Sequence, residues 1–281
     1  MARLVVGNRD GTLAIRQGRL VLERLTEEWP DLHLTVRTVA SQDGTGSGSL
    51  LTALDRGEVG VAVVQLDTLG PALPEGLTLA AVTRRADARC ALMSRGPKSL
   101  DKLPPKACVA VVAERDAAFV RAANPSLTTE LLGAPPEAEL SRLAAGDYHA
   151  IILPAATMAG LDLRDRIDVL LEAEAFTPAP GQGAVGLVVK SDDDLAFETV
   201  YPLQHRPSFD RVRAERAFAR ALGGHAVGAL ASVSDDGELT LFGAVVRGEA
   251  TIQASVTGEA REAEELGREL AQDVLERLER I

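Results

Sequence analysis

A chain of 281 residues, 46% apolar and 25% charged, has the balance of a soluble globular protein and enough mass for a large core in more than one domain. Its formal charge of −11 argues against nucleic acid or anionic membrane as partners, and aromatics at 3% leave little for base stacking. The basic residues are nearly all arginine, with lysine only at Lys98, Lys102, Lys106 and Lys190, and arginine suits bidentate carboxylate binding.

Arg3 to Gly7 reads as a buried strand. Thr12 is placed to cap a helix whose periodicity continues to Trp29 and stops at Pro30. Leu32 to Arg37 alternates apolar and polar side chains and predicts a strand. Ser49 to Arg56 predicts a helix and Gly60 to Val64 a further strand, an alternation that indicates α/β layers. The Gly/Ser run from Gly44 to Ser49 lacks the lysine and spacing of a phosphate loop and reads as a short flexible loop.

A second unit is predicted after the Pro-rich stretch Gly96 to Lys106. It comprises a strand from Cys108 to Val112, a helix from Glu114 to Ala123, and a helix from Glu137 to Ala145 opened by Pro135-Pro136 and ended by Gly146. The strand Ala150 to Leu153 follows, then Thr177 to Gly183 as a stiff crossing segment, and Ala184 to Val189 as a strand rejoining the first unit. From Pro207 the pattern is a helix, a strand from Ala226 to Val233, the turn Asp235-Asp236-Gly237, and strands Leu239 to Val246 and Thr251 to Val256. A final helix is predicted from Glu259 to Ile281, with Leu266, Leu270, Val274, Leu278 and Ile281 as a core-facing stripe. The expected domains are residues 1–95 with 184–206, residues 98–183, and a small α+β domain at 207–281.

Cys90 and Cys108 suggest no disulfide framework, zinc site or redox pair. The start reads as a short strand rather than a leader, and no apolar run has membrane-spanning length, so a cytoplasmic protein with reduced thiols is expected.

Several pieces stand in a telling order: Gly7-Asn8-Arg9 with Leu13-Ala14, Leu73-Pro74-Glu75-Gly76-Leu77, Gly146 to Leu153, Pro178 to Ala184, Ala214 to Phe218, and Leu222-Gly223-Gly224. Together they resemble the porphobilinogen deaminases (hydroxymethylbilane synthases) over nearly the whole chain. The resemblance implies two α/β domains like those of periplasmic binding proteins around a cleft, plus a small C-terminal α+β domain, in a monomer. It also implies a transferase of tetrapyrrole and haem biosynthesis, condensing four porphobilinogens with release of ammonia. The growing chain would hang from a dipyrromethane cofactor on a cysteine, beside a catalytic aspartate and several carboxylate-binding arginines.

Some of those positions are kept and others are not. Arg9, Arg115 and Arg166 stand where the family has arginines, and are the expected substrate or anion ligands. His225 occupies the cofactor cysteine's position, and an imidazole is a poor replacement for a thiolate. No second histidine or cysteine stands near His225 at metal-ligand spacing, so no metal is expected. Cys108 lies on an apolar strand, and Cys90 takes the slot of a family aspartate. Thr68 sits at the catalytic aspartate position and Asp67 one residue earlier, where the family has lysine. On an extended segment these neighbours would face opposite ways, so Asp67 could serve only by a one-residue slip.

Asp67, Asp116 and Glu139 each put a negative charge where the family has a positive one, which disfavours a polycarboxylate in a partly desolvated cleft. The departures predict a pseudoenzyme with no covalent dipyrromethane and with polymerisation lost or strongly impaired. Two alternatives stay open: an active synthase using a noncovalent primer and Asp67, and a cleft-binding module for a small organic anion, a tetrapyrrole precursor or a protein partner.

Overall fold

A computed structural model describes residues 3–41, 47–70 and 72–280. The chain begins with β1 (Arg3–Arg9), α1 (Thr12–Glu28), β2 (His33–Val39), α2 (Gly48–Asp55), β3 (Val61–Gln65) and β4 (Leu77–Val82). It continues through β5 (Cys90–Ser94), β6 (Cys108–Val111), α3 (Glu114–Ala123), β7 (Thr128–Leu131), α4 (Pro136–Ala145), β8 (Ala150–Pro154), α5 (Ala155–Gly160) and β9 (Val169–Leu170). Last come β10 (Val185–Lys190), α6 (Asp194–Val200), α7 (Arg206–Ala221), β11 (Ala226–Val233), β12 (Glu238–Arg247), β13 (Ala250–Glu259) and α8 (Ala263–Leu278).

The strands form two five-stranded sheets, ordered β2-β1-β3-β10-β4 and β7-β6-β8-β5-β9, and a three-stranded sheet β11-β12-β13. Each large sheet has the same plan. A central strand (β1 or β6) pairs parallel with both neighbours, and an antiparallel strand (β10 or β5) then extends the sheet to its far edge. The third sheet is an antiparallel meander. This is the α/β architecture with a small C-terminal α+β portion that the sequence predicts.

The chain divides into two compact units, Met1–Ala86 with Gly183–Val212, and Asp87–Gln182 with Arg213–Ile281. The second unit holds both the β5–β9 sheet and the three-stranded sheet.

Helical periodicity sets the buried faces. In α1, Ala14, Gly18, Val21 and Leu25 point inward, three or four residues apart. In α8, Leu266, Leu270, Val274 and Leu278 are buried against the meander, each leucine contributing roughly 1.5–3 kcal/mol. Ile281, placed in the same stripe, lies outside the described residues.

Some predicted boundaries are overturned. Thr12 is the first helical residue, not the cap: Gly11 holds the cap position at φ 99°, a conformation that favours glycine, and no side chain caps the helix. The last helix begins at Ala263, because β13 stays paired with β12 as far as Glu259. Gly258 permits this, since a Cβ there would sit 2.8 Å from Leu266. The strands β4, β5, β7 and β9 are additions to the predicted elements; the first two are short, mostly buried runs without strong alternation. Among the described residues, no helix is long and apolar enough to cross a membrane, and no group of three or more His, Cys, Asp or Glu side chains is placed to hold a metal.

Candidate functional site

In the first unit, the C-terminal ends of β1 and β3 carry the predicted polar residues. Asn8 is buried; its Nδ2 donates to the Arg9 carbonyl at 2.7 Å and to Thr38 Oγ1 at 3.3 Å. Helix α1 can lean on Asn8 only because Gly18 lacks a side chain, a Cβ there lying 2.6 Å from Asn8 Oδ1. Burial lowers the pKa of the next residue, Arg9, while the carboxylates of Asp10 and Asp67 act on it in the opposite sense. Arg9 and Asp67 therefore belong to one electrostatic neighbourhood.

After β3 the chain turns into a 3-10 helix, Leu66–Thr68, so Asp67 and Thr68 are not on an extended segment. The expectation that strand alternation sends them to opposite faces is overturned, because successive residues of a 3-10 helix are separated by about a third of a turn. The Thr68 hydroxyl donates to the Gln65 carbonyl at 2.8 Å. Having a single proton, it must then accept from Ser47 Oγ, 2.9 Å away and buried. A neutral hydroxyl pair thus stands at the position matched to a catalytic acid.

In the second unit, Arg115 lies in the first turn of α3. Its Nε donates to the Val227 carbonyl at 2.7 Å, one terminal nitrogen to the Thr177 carbonyl, and the other to Asp116 Oδ1 at 2.5 Å. The guanidinium carbon lies 4.4 Å from the centroid of the Phe119 ring and 6.0 Å from that of Phe176. Glu215, fully buried on α7, accepts from the amides of Gly181 at 2.7 Å and Ala231 at 2.8 Å. The side chain of Gln182 donates to the Ala88 carbonyl at 2.6 Å and lies 3.3 Å from Cys90 Sγ.

The three acids read as charge reversals have different surroundings. Asp67 acts on Arg9. Asp116 is buried in its contact with Arg115. Glu139 is fully buried, accepting from the amides of Gly133 at 2.9 Å and Ala134 at 2.8 Å, from Tyr148 Oη at 3.1 Å and from Arg142 at 3.2 Å. Its carboxylate also pushes the Tyr148 phenol, already raised by burial, up to about 12. The expectation that Glu139 repels a carboxylate ligand is overturned, since its charge is spent on partners inside its own fold.

The other predicted residues are placed as follows. Arg166 is exposed on the 3-10 turn Arg164–Arg166. His225 is exposed between α7 and β11, following Gly224 at φ 86°. Cys90 is buried at 2% exposure, and burial raises the pKa of Cys108, which disfavours its thiolate. Arg9, Asp67 and Thr68 thus share the first unit, whereas Arg115, Arg166 and His225 lie in the second. Sequence reasoning does not single out Ser47, Gln182 or Glu215; a glutamate on the apolar face of α7, between buried Ala214 and Ala217, is the available signal.

Two family models match the chain: the dipyrromethane cofactor-binding domain of porphobilinogen deaminase over residues 4–198, and the porphobilinogen deaminase C-terminal domain over residues 209–276. A porphobilinogen deaminase of Thermus thermophilus is 42% identical over 290 residues, covering 98% of this chain and 96% of the relative. One from Deinococcus radiodurans is 36% identical over 299 residues, covering 99% and 96%. Among solved structures, the methionine-binding protein MetQ superposes with a TM-score of 0.50 at 14% identity, over 72% of this chain and 89% of that one. A YaeC-family lipoprotein of Enterococcus faecalis also gives 0.50, at 12% identity over 72% and 91%. At such identities these two likenesses speak for the fold alone.

Proposed function

Since the chain belongs to the porphobilinogen deaminase family, we propose that it keeps the hydroxymethylbilane synthase scaffold while the covalently primed polymerisation of porphobilinogen is lost or strongly impaired. The observation that carries this reading is the residue at position 225. An exposed imidazole stands where a thioether-forming sulfur is required. Neither cysteine is well placed as a substitute, because Cys90 is shut inside the second unit and burial disfavours the Cys108 thiolate. The side chains present do not fit a dipyrromethane attached through sulfur.

The acid position supports the same conclusion. A pyrrole-stabilised cation needs a negative charge beside it, and preorganised electrostatic stabilisation commonly contributes more to catalysis than any other single effect. The Thr68 hydroxyl is neutral, and its proton is committed to the Gln65 carbonyl. On the family precedent we assign the protein to the cytoplasm as a monomer, with a small organic anion or tetrapyrrole precursor as the ligand class.

One observation favours a second reading. Asp67 and Arg9 act on one another electrostatically, so a carboxylate does exist near position 68. An active synthase would use Asp67 as its acid and hold its primer without a covalent bond.

Two measurements separate the readings. The intact mass of purified protein is expected to equal the bare polypeptide, and incubation with porphobilinogen is expected to release neither ammonia nor hydroxymethylbilane. A mass increase matching two linked pyrroles, or sustained bilane production over many turnovers, overturns the proposal. Turnover that disappears in Asp67→Asn would establish the second reading.

A further inference from the structure

Arg115 is matched to a carboxylate-binding arginine, yet its side chain is turned to other work. The outer edge of β11 is covered by the crossing segment 177–182. The cover is made by bonds at alternate residues of the strand, as the two-residue period of a strand requires. Arg115 takes the Val227 carbonyl, the Ala229 amide donates to the Pro178 carbonyl at 2.9 Å, and the Ala231 amide donates to Glu215. Arg115 and Glu215 each also hold the crossing segment itself, at the Thr177 carbonyl and the Gly181 amide.

The guanidinium is built into this position. Phe119 and Phe176 lie against it, and Asp116 takes the one terminal nitrogen not bonded to a carbonyl. Gly228 makes the approach possible: a Cβ there would fall 2.6 Å from Thr177 Cβ and 2.9 Å from the Arg115 guanidinium. The side chain retains only 14% of its exposure. A carboxylate ligand would have to displace two carbonyls and an aspartate from a partly desolvated cation.

We infer that Arg115 is a positioning residue, a strut that fixes the start of β11, and with it the loop bearing His225, to the 177–182 segment. Asp116 keeps the guanidinium in that role and away from anionic ligands. The aspartate that replaces a family arginine thus decides what its neighbour does. The inference does not depend on whether bilane is made, since it concerns contacts within the chain itself.

Amide hydrogen exchange of the full chain tests it, with porphobilinogen titration as the second readout. In Arg115→Gln, exchange at Ala229 is expected to accelerate at least tenfold while Val245 in β12 is unchanged, and any affinity for porphobilinogen stays within twofold of the parent. Asp116→Asn, a milder change that preserves the carbonyl bonds, is expected to accelerate Ala229 exchange about two- to fivefold. An unchanged Ala229 rate in both variants overturns the strut. So does a tenfold or greater loss of porphobilinogen affinity in Arg115→Gln with Ala229 protection intact, the pattern of a carboxylate receptor. A bilane assay has no bearing on either outcome, so failure here is distinguishable from failure of the proposed loss of activity.

Discussion

Arg9 and Arg115 are the same residue at positions matched to the same task, and the two units treat them differently. Arg9 is half-buried among carboxylates, with Asp10 and Asp67 opposing the effect of burial on its charge. Arg115 is enclosed by two aromatic rings and bonded to two backbone carbonyls and Asp116. The same contrast holds for the acids: Asp67 acts on a neighbouring cation, whereas Glu139 and Glu215 are consumed by backbone amides of the second unit. A matched residue type reports potential chemistry. Only the count of donors and acceptors already engaged reports what chemistry is left.

If that contrast is right, substitutions of the buried, amide-bonded acids of the second unit cost stability, and substitution of Thr68 in the first costs little. Glu215→Ala is expected to be the most damaging, destabilising the fold by about 3–5 kcal/mol in urea denaturation, because two buried amides lose their acceptor. Glu139→Gln is expected to cost about 1–3 kcal/mol. The amide oxygen can still accept from Gly133 and Ala134, but an NH2 group would face Tyr148 Oη and Arg142. A negligible cost for Glu139→Gln beside a large one for Glu215→Ala would show that the amide contacts alone matter.

Thr68→Asp, in the first unit, is expected to cost only about 1 kcal/mol, since one hydroxyl bond to the Gln65 carbonyl is lost. A cost above that of Glu215→Ala would break the comparison. His225→Cys, at an exposed loop, is expected to stay within about 0.5 kcal/mol of the parent and not to produce bilane on incubation with porphobilinogen.

The smallest effect concerns pH. Burial, with Arg84 and Arg211 nearby, holds the His205 pKa below its ordinary value of 6.5. The unfolded chain therefore takes up this proton at a higher pH than the native one. Stability is fully present above the ordinary histidine value and is lost as pH falls from there toward the lower folded value. His205→Gln should flatten the slope of denaturation free energy across that window, and an unchanged slope would show that His205 is not its source.

Much of the fold was legible because it rests on local patterns. The helix Glu114–Ala123 and the strand Ala226–Val233 have the same limits in sequence and in structure, the first entered from an extended Ala113, the second following a glycine turn. The strands β4 and β5 were not read from the sequence, although their short apolar runs resemble those of β3 and β8, which were. For the site, the positions of Arg9, Thr68, Arg115 and His225 were legible from the resemblance. The 3-10 turn at Leu66–Thr68 was not, and it removed the argument that separated Asp67 from Thr68.

Sequence alone determined which chemical groups exist: no sulfur at position 225, no acid at position 68, and a family resemblance strong enough to assign the architecture. Tertiary structure alone decided which of those groups are already spoken for. Arg115, Glu139 and Glu215 find their partners across spans of up to 112 residues, some of them backbone carbonyls and amides. A backbone group is the same in every residue, so no side-chain pattern can announce that it will meet a particular arginine or glutamate once the chain has folded.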